Sequence, residues 1–300
     1  MRTPPKTQGV FRFRTPAKIT PFISILGRRN DGFHEVRVAL TAVSIYDTLT
    51  WQPSANPLRV QVEGPEPLGP ETGNLVYRAS VAFEAATGIR IGGLWRLTKA
   101  IPAGAGLGGG SGNAAGTLVV LNRLNGGPLS AAQLHVLAAQ LGSDVPYFLD
   151  PRPQWGSGRG EQLLPLAGFP RLPVLVIKPA FSIATAEAYG RVRPREGEAA
   201  MQPPLTTLEE VVASLNNDFE RVLSEVYPEL AAIKTGLLAA GARGALLSGS
   251  GSAVFGLFAS AAERDAGQMR LTRTNPAWLA LACDTLPDHD YAVTLLQEPK

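Results

Sequence analysis

Ile101-Pro-Ala-Gly-Ala-Gly-Leu-Gly-Gly-Gly-Ser-Gly-Asn-Ala-Ala115 holds six glycines, at 104, 106, 108, 109, 110 and 112, and runs straight into Leu118, Val119 and Leu121 at helical spacing. It predicts a loop feeding a helix N-terminus. Glycines let a backbone approach a ligand closely and adopt positive φ, and the first free N–H groups of a helix carry partial positive charge, so the arrangement suits a phosphate. The bland alternative is a flexible turn. Residues 85–143 contain no Asp or Glu, while Arg90, Arg96, Lys99 and Arg123 are present. A polyphosphate is repelled by carboxylates, so this absence favours the phosphate reading.

Gly104-x-Gly106-x-x-Gly109 spells the dinucleotide fingerprint, but that motif needs an acid about 20 residues on to hold a ribose, and none is there. A Walker A loop and the protein-kinase signatures are absent too. The loop is a phosphate cradle of another kind.

Outward from the loop, Val10–Arg14, Ile19–Ile25, Val36–Leu40 and Leu58–Val62 read as short strands separated by turns such as Asn30-Asp31-Gly32. Asn74 caps a predicted helix that ends at Gly88, and Ser130 with Gln133 forms a capping box for a helix ending at Gly142. Past the Pro-rich passage 151–173, a buried strand is expected at Leu172–Lys178. Helices are expected after Thr206 or Thr207, Pro228 and Ser260, with strands at Ala245–Leu247, Val254–Phe258 and Ala292–Leu296. The mixed, mostly non-alternating order predicts an α+β protein, divided near residue 156 into lobes 1–156 and 157–300.

With 28 basic and 25 acidic residues among 300, the net charge of +3 argues for neither nucleic acid nor an anionic membrane. No apolar secretory core or transmembrane run is visible. The single cysteine, Cys283, and three histidines exclude an intrachain disulfide and make a resident metal site improbable. A small-molecule substrate and a reducing, cytoplasmic setting are expected. Oligomeric state is not legible.

Pro102-x-x-x-Gly106-Leu-Gly-Gly-Gly-Ser-Gly-Asn-Ala-Ala115 resembles the second motif of the GHMP kinases, small-molecule kinases with an α+β two-lobe fold. Pro16-Ala-Lys-Ile19 and Leu247-Ser-Gly-Ser-Gly-Ser252 resemble that family's other two signatures, and the resemblance covers residues 16–260 in order. Leu26–Glu35, Leu141–Leu149 and Asn216-Asn-Asp-Phe-Glu220 are similar to the branch whose acceptor is an alcohol carrying a cytidine diphosphate, used in isoprenoid precursor synthesis. The fold it implies has the glycine-rich loop opening a helix between the lobes.

The resemblance implies ATP as phosphoryl donor, with Mg²⁺. It places the ATP phosphates on Pro102, Gly104, Gly106, Leu107, Gly108, Gly109, Gly110 and Ser111, with Asn74, Lys99 and Asn113 around the base and ribose. Asn74 and Asn113 read equally as helix-start residues. Asp144, otherwise a turn cap, becomes the base or orienting carboxylate for the acceptor hydroxyl, with Lys18 beside it. For the acceptor the resemblance implies Phe33, His34, Thr185, Tyr189, Gly249 and Ser250, with cytosine stacked between Phe33 and Tyr189; Phe181 is a further aromatic candidate.

Gly112 stands where the family usually has a second serine, Asn30 for its usual Pro and Phe33 for its usual Tyr. A serine at 112 is accordingly expected to test for a missing metal-site hydroxyl. A valine at Gly108 is expected to exclude the phosphates and leave the fold intact. The rival readings are a homoserine or mevalonate-type GHMP kinase and, less favoured, a nicotinamide-nucleotide-binding protein.

Overall fold

The computed structural model describes residues 9–65, 69–193, 204–289, 291 and 294–296. Its first feature is a pair of long antiparallel strands, β1 (Val10–Arg28) and β2 (His34–Pro53), turning at Asn30-Asp31-Gly32. The two short strands expected within 10–25 are thus one. Pro16 does not break it, because Pro16 falls where the register slips from Pro16 opposite Tyr46 to Ala17 opposite Val43. A bulge tolerates the missing N–H and re-aims the residues after it, here Ala17 and Lys18.

The chain continues through β3 (Arg59–Glu63), α1 (Leu75–Thr87), β4 (Gly93–Thr98), α2 (Gly109–Leu124) and α3 (Ala131–Leu141). Next come β5 (Gln154–Ser157), β6 (Gln162–Pro165), β7 (Pro173–Lys178), α4 (Thr185–Arg191), α5 (Leu208–Ala213), β8 (Asn216–Asn217) and α6 (Asp218–Val226). The last elements are α7 (Pro228–Ala239), β9 (Gly244–Leu247), β10 (Val254–Leu257), α8 (Ala261–Thr274), β11 (Leu279–Leu286) and β12 (Thr294–Leu296). Helices and a largely antiparallel sheet make this α+β.

Local signals set several boundaries. Asn74 accepts the N–H of Val76, Ser130 and Gln133 form their box, Thr207 and Glu210 form another, and Ser260 accepts from Glu263. Of the strand expected at Ala292–Leu296, β12 covers the end, and residues 292 and 293 lie outside the described ones.

The main path of the sheet runs β12-β1-β2-β11-β7-β10-β9. β11 joins its two parts: Leu279–Asp284 pair with β7, whereas Thr285 and Leu286 pair with Val43 and Ala42 of β2. Residue 156 lies inside β5, which pairs with both β2 and β6, so a division there crosses a strand, and the first part of the sheet continues to Pro165. Stacked Trp51 and Trp95, ring centroids 5.4 Å apart, fill the space between this sheet and α1 and α2, with Phe13 edge-on to Trp95. Among the described residues no helix is long and apolar enough to cross a membrane.

Candidate active site

The glycine loop enters α2 at Gly108, whose φ of +70° makes it the residue before the first helical turn. The loop is held from both sides of the molecule. From β1, the Lys18 N–H donates to the Leu107 carbonyl at 2.9 Å; from the turn between β9 and β10, Ala253 N–H donates to Ala105 and Ser248 Oγ to Gly106. Here the two glycine loops meet backbone to backbone: a Cβ on Gly106 would overlap the Ser248 carbonyl oxygen, and one on Gly251 would overlap Gly106 N. Only glycine permits that approach.

Except for Phe181, every residue singled out above for ATP or acceptor lines one cleft of about 1140 Å³. Pro102, Gly104, Gly106, Leu107, Gly108, Gly109, Gly110 and Ser111 form one wall, with Asn74 and Asn113. Asn74 is both cap and lining residue, and the Asn113 side chain accepts from Thr15 Oγ1 at 2.6 Å. Lys99 is nearly buried and ion-paired with Asp47, a fully buried carboxylate that also accepts the N–H groups of Ala100 and Ile101. The acid-free run in sequence is therefore not acid-free in space, but this carboxylate is ion-paired and is not among the residues lining the cleft. Asp47 was invisible in the sequence because β2 brings it in from fifty residues away.

Lys18 is 5% exposed, with Nζ 3.8 Å from Asp144 Oδ2 and donating to Thr20 Oγ1 at 3.0 Å. Burial pushes its ammonium below the usual lysine range, and the Asp144 charge opposes that shift. Asp144 follows α3 in the turn closed by the Gly142 carbonyl and Val145 N–H, with its side chain about half exposed. It is the only carboxylate among the described residues lining the cleft, against Lys18, Arg28, Lys99 and Arg159. A hydroxyl placed beside it meets one proton acceptor and a nearby buried cation, which together suit an alcohol becoming an alkoxide.

At the other end are Phe33, His34 and Tyr189. His34 and Tyr189 have ring centroids 5.0 Å apart, Tyr189 meets Phe219 edge-on, and Phe33, 47% exposed, carries the Arg159 guanidinium 4.5 Å from its centroid. Burial, assisted by the Arg28 charge, lowers the His34 pKa. Burial raises that of Tyr189, and the Asp144 charge adds to it. Arg159 belongs to no recognisable motif, and Arg28, although inside the Leu26–Glu35 block, was not singled out in it. Phe181 does not line the cleft: it stacks on Tyr227 at 4.9 Å. Gly249 and Ser250 close the cleft beside Thr185, Ser250 Oγ donating to Thr185 Oγ1 at 3.4 Å.

Two glycine expectations need correcting. A Cβ at Gly108 would lie 2.8 Å from the Phe148 ring and 3.1 Å from Lys18 Cγ, so a valine there disturbs Lys18 and its packing before it reaches a phosphate. A Cβ at Gly112 would lie 3.1 Å from the Pro16 carbonyl oxygen and 3.4 Å from Phe148, turned away from the cleft. Gly112→Ser is therefore expected to alter stability and leave the Mg²⁺ dependence of the rate unchanged. A lowered Mg²⁺ requirement in a metal titration would contradict this geometry.

The family model described as GHMP kinases N terminal domain matches residues 74–150, and GHMP kinases C terminal matches 201–276. The 4-diphosphocytidyl-2-C-methyl-D-erythritol kinase of Pelotomaculum thermopropionicum is 43% identical over 251 residues, covering 81% of this chain and 87% of that one. The Syntrophotalea carbinolica protein of the same name is 39% identical over 280 residues, 92% and 99% of the two chains. A crystal structure of 4-(cytidine 5'-diphospho)-2C-methyl-D-erythritol kinase superposes with TM-score 0.77 at 34% identity, covering 91% of this chain and 98% of that one. Homoserine kinase from Cytophaga hutchinsonii superposes with TM-score 0.74 at 18% identity over 96% and 98%, a likeness of fold alone. With both halves matched in order and identity sustained over most of its length, the chain belongs to the GHMP kinases, in the 4-diphosphocytidyl-2-C-methyl-D-erythritol kinase family.

Proposed function

We propose that the cleft transfers the terminal phosphoryl group of ATP to the 2-hydroxyl of 4-diphosphocytidyl-2-C-methyl-D-erythritol, a step of non-mevalonate isoprenoid precursor synthesis. The observation that carries the site assignment is the order along the cleft. Lys18 touches the glycine loop through its backbone and pairs with Asp144 through its side chain, and Asp144 lines the same cleft as the His34–Tyr189 ring pair. A donor cradle, a reacting pair and an aromatic base pocket follow one another.

In this reading the glycine loop and the start of α2 bind the phosphates, with Asn74, Lys99 and Asn113 toward base and ribose. The residues fit a triphosphate: a Cβ at Gly110 would meet only Leu75, at 3.4 Å, and the Asp47 carboxylate, outside the lining, is held by Lys99. Asp144 orients the acceptor hydroxyl and takes its proton as the new O–P bond forms and the bond to ADP breaks, while Lys18 stabilises the negative charge. Phe33, His34 and Tyr189 hold cytosine, and Thr185, Gly249 and Ser250 hold the acceptor's phosphates. Among the described residues no three His, Cys, Asp or Glu converge. Mg²⁺ is therefore assigned to the nucleotide phosphates, and Ser111 and Asp144, which both line the cleft, would be the side chains to hold it there. A cytoplasmic location fits this chemistry.

The test is ATP consumption with the cytidylyl alcohol, homoserine and mevalonate side by side. Preference for the cytidylyl alcohol is expected. Preference for either of the others would leave only a general GHMP kinase.

A further inference from the structure

The stretch Asn216-Asn-Asp-Phe-Glu220 lines up between two walls of the cleft without itself supplying the proposed reacting groups. β8 pairs in parallel with β1 at Phe22 and Ile23, Asn216 Nδ2 donates to the Ile23 carbonyl at 2.9 Å, and Asp218 Oδ2 accepts from Ile25 N–H at 2.8 Å and Ser24 Oγ at 3.1 Å. These bonds fix the stretch to the strand that carries Lys18. On its other side, the buried Asn217 amide donates from Nδ2 to the carbonyls of Leu247 and Gly249, each at 2.8 Å, and Glu220 Oε1 accepts from Leu247 N–H at 3.0 Å. Those bonds fix it to the second glycine loop. Gly249, at φ +57°, turns its α-carbon toward the Lys18 ammonium, and a Cβ there would be 3.1 Å from Nζ.

We propose that Asn217 is a positioning residue: its amide clasps the Leu247 and Gly249 carbonyls and so sets the height of Gly249–Ser250 above the Lys18–Asp144 pair, placing the acceptor for transfer. The inference rests on the reading of Gly249 and Ser250 as acceptor contacts. Asn217 also caps α6, its Oδ1 accepting from Phe219 N–H at 2.9 Å, and the two duties are separable. Aspartate caps a helix about as well as asparagine and serine nearly so, but neither can donate to two carbonyls from this position.

Asn217→Asp and Asn217→Ser, confirmed folded by circular dichroism, are compared with wild type by steady-state kinetics. The clasp predicts that KM for the acceptor rises roughly tenfold or more in both, as expected when buried carbonyls lose their donor, while KM for ATP stays within about twofold. Asn217→Asp with wild-type constants would show a cap alone and overturn the proposal. So would KM for ATP rising as much as KM for the acceptor. If wild type prefers homoserine or mevalonate, the functional reading fails, and the same comparison on that alcohol still decides the clasp. If wild type phosphorylates none of the three, both readings fall.

Discussion

Asp144→Asn is expected to lower kcat by roughly 10²–10⁴, the range for loss of a positioned proton acceptor, with KM for ATP and for the acceptor little changed. The amide keeps the shape of the side chain, and Asp144 is about half exposed, so the fold has little stake in its charge. In the proposed mechanism Lys18→Met acts on the same transferring group. Its loss combined with Asp144→Asn is therefore expected to be well short of additive. The pair also has a pH signature. Lys18 loses its proton below the ordinary 10.5 because burial penalises the ammonium, and Asp144 partly restores it. A rate that needs charged Lys18 falls as pH rises through that pKa. Removing the Asp144 charge removes the opposing influence, so the basic limb of the residual activity moves to lower pH in Asp144→Asn. Turnover within about threefold of wild type, or a basic limb that does not move, would remove Asp144 from the reacting centre.

The second large effect is expected in acceptor recognition. Stacking on a base is worth about 1–3 kcal/mol by alanine substitution in nucleic-acid-binding proteins, so Phe33→Ala should raise KM for the cytidylyl acceptor by about 5- to 150-fold with KM for ATP unmoved. Phe33 is the cleaner position. It is 47% exposed, whereas Tyr189 also packs edge-on against buried Phe219, so Tyr189→Ala combines base loss with a cavity. In the proposed base pocket, His34 as a neutral ring would offer one donor and one acceptor, which matches the edge of cytosine. Its pKa is held below the ordinary 6.5 by burial and by Arg28. As pH falls through that lowered value the ring gains a proton and loses its acceptor, so acceptor KM rises on acidification, later than an unperturbed histidine would give. Unchanged acceptor KM in both Phe33→Ala and Tyr189→Ala would place the base elsewhere.

What was legible in the sequence was local. Asn74, Ser130, Thr207 and Ser260 announce their helices because a cap is a bond between residues two or three apart, and the six glycines announce a cradle because their spacing is itself the structure. The family resemblance added residues that local pattern could not connect, and Lys18 and Asp144 do meet although 126 positions separate them. Contacts without a motif stayed hidden: Asp47 against Lys99, Arg159 over Phe33, and β11 changing partner from β7 to β2. The direction of a missing side chain stayed hidden too. Gly112 sits in the motif beside Ser111, yet the turn of α2 aims its α-carbon at Pro16 and Phe148.

The central claim is transfer of a phosphoryl group to the alcohol with the cytidine diphosphate left whole. Phosphorus NMR of the products reads this directly. One new phosphomonoester resonance is expected, lacking the three-bond proton coupling of a phosphate on a hydrogen-bearing carbon because C2 of the tetritol carries a methyl group and no hydrogen, together with an intact diphosphate and ADP formed in equal amount. ADP with only inorganic phosphate, or cleavage of the cytidine diphosphate, would contradict it.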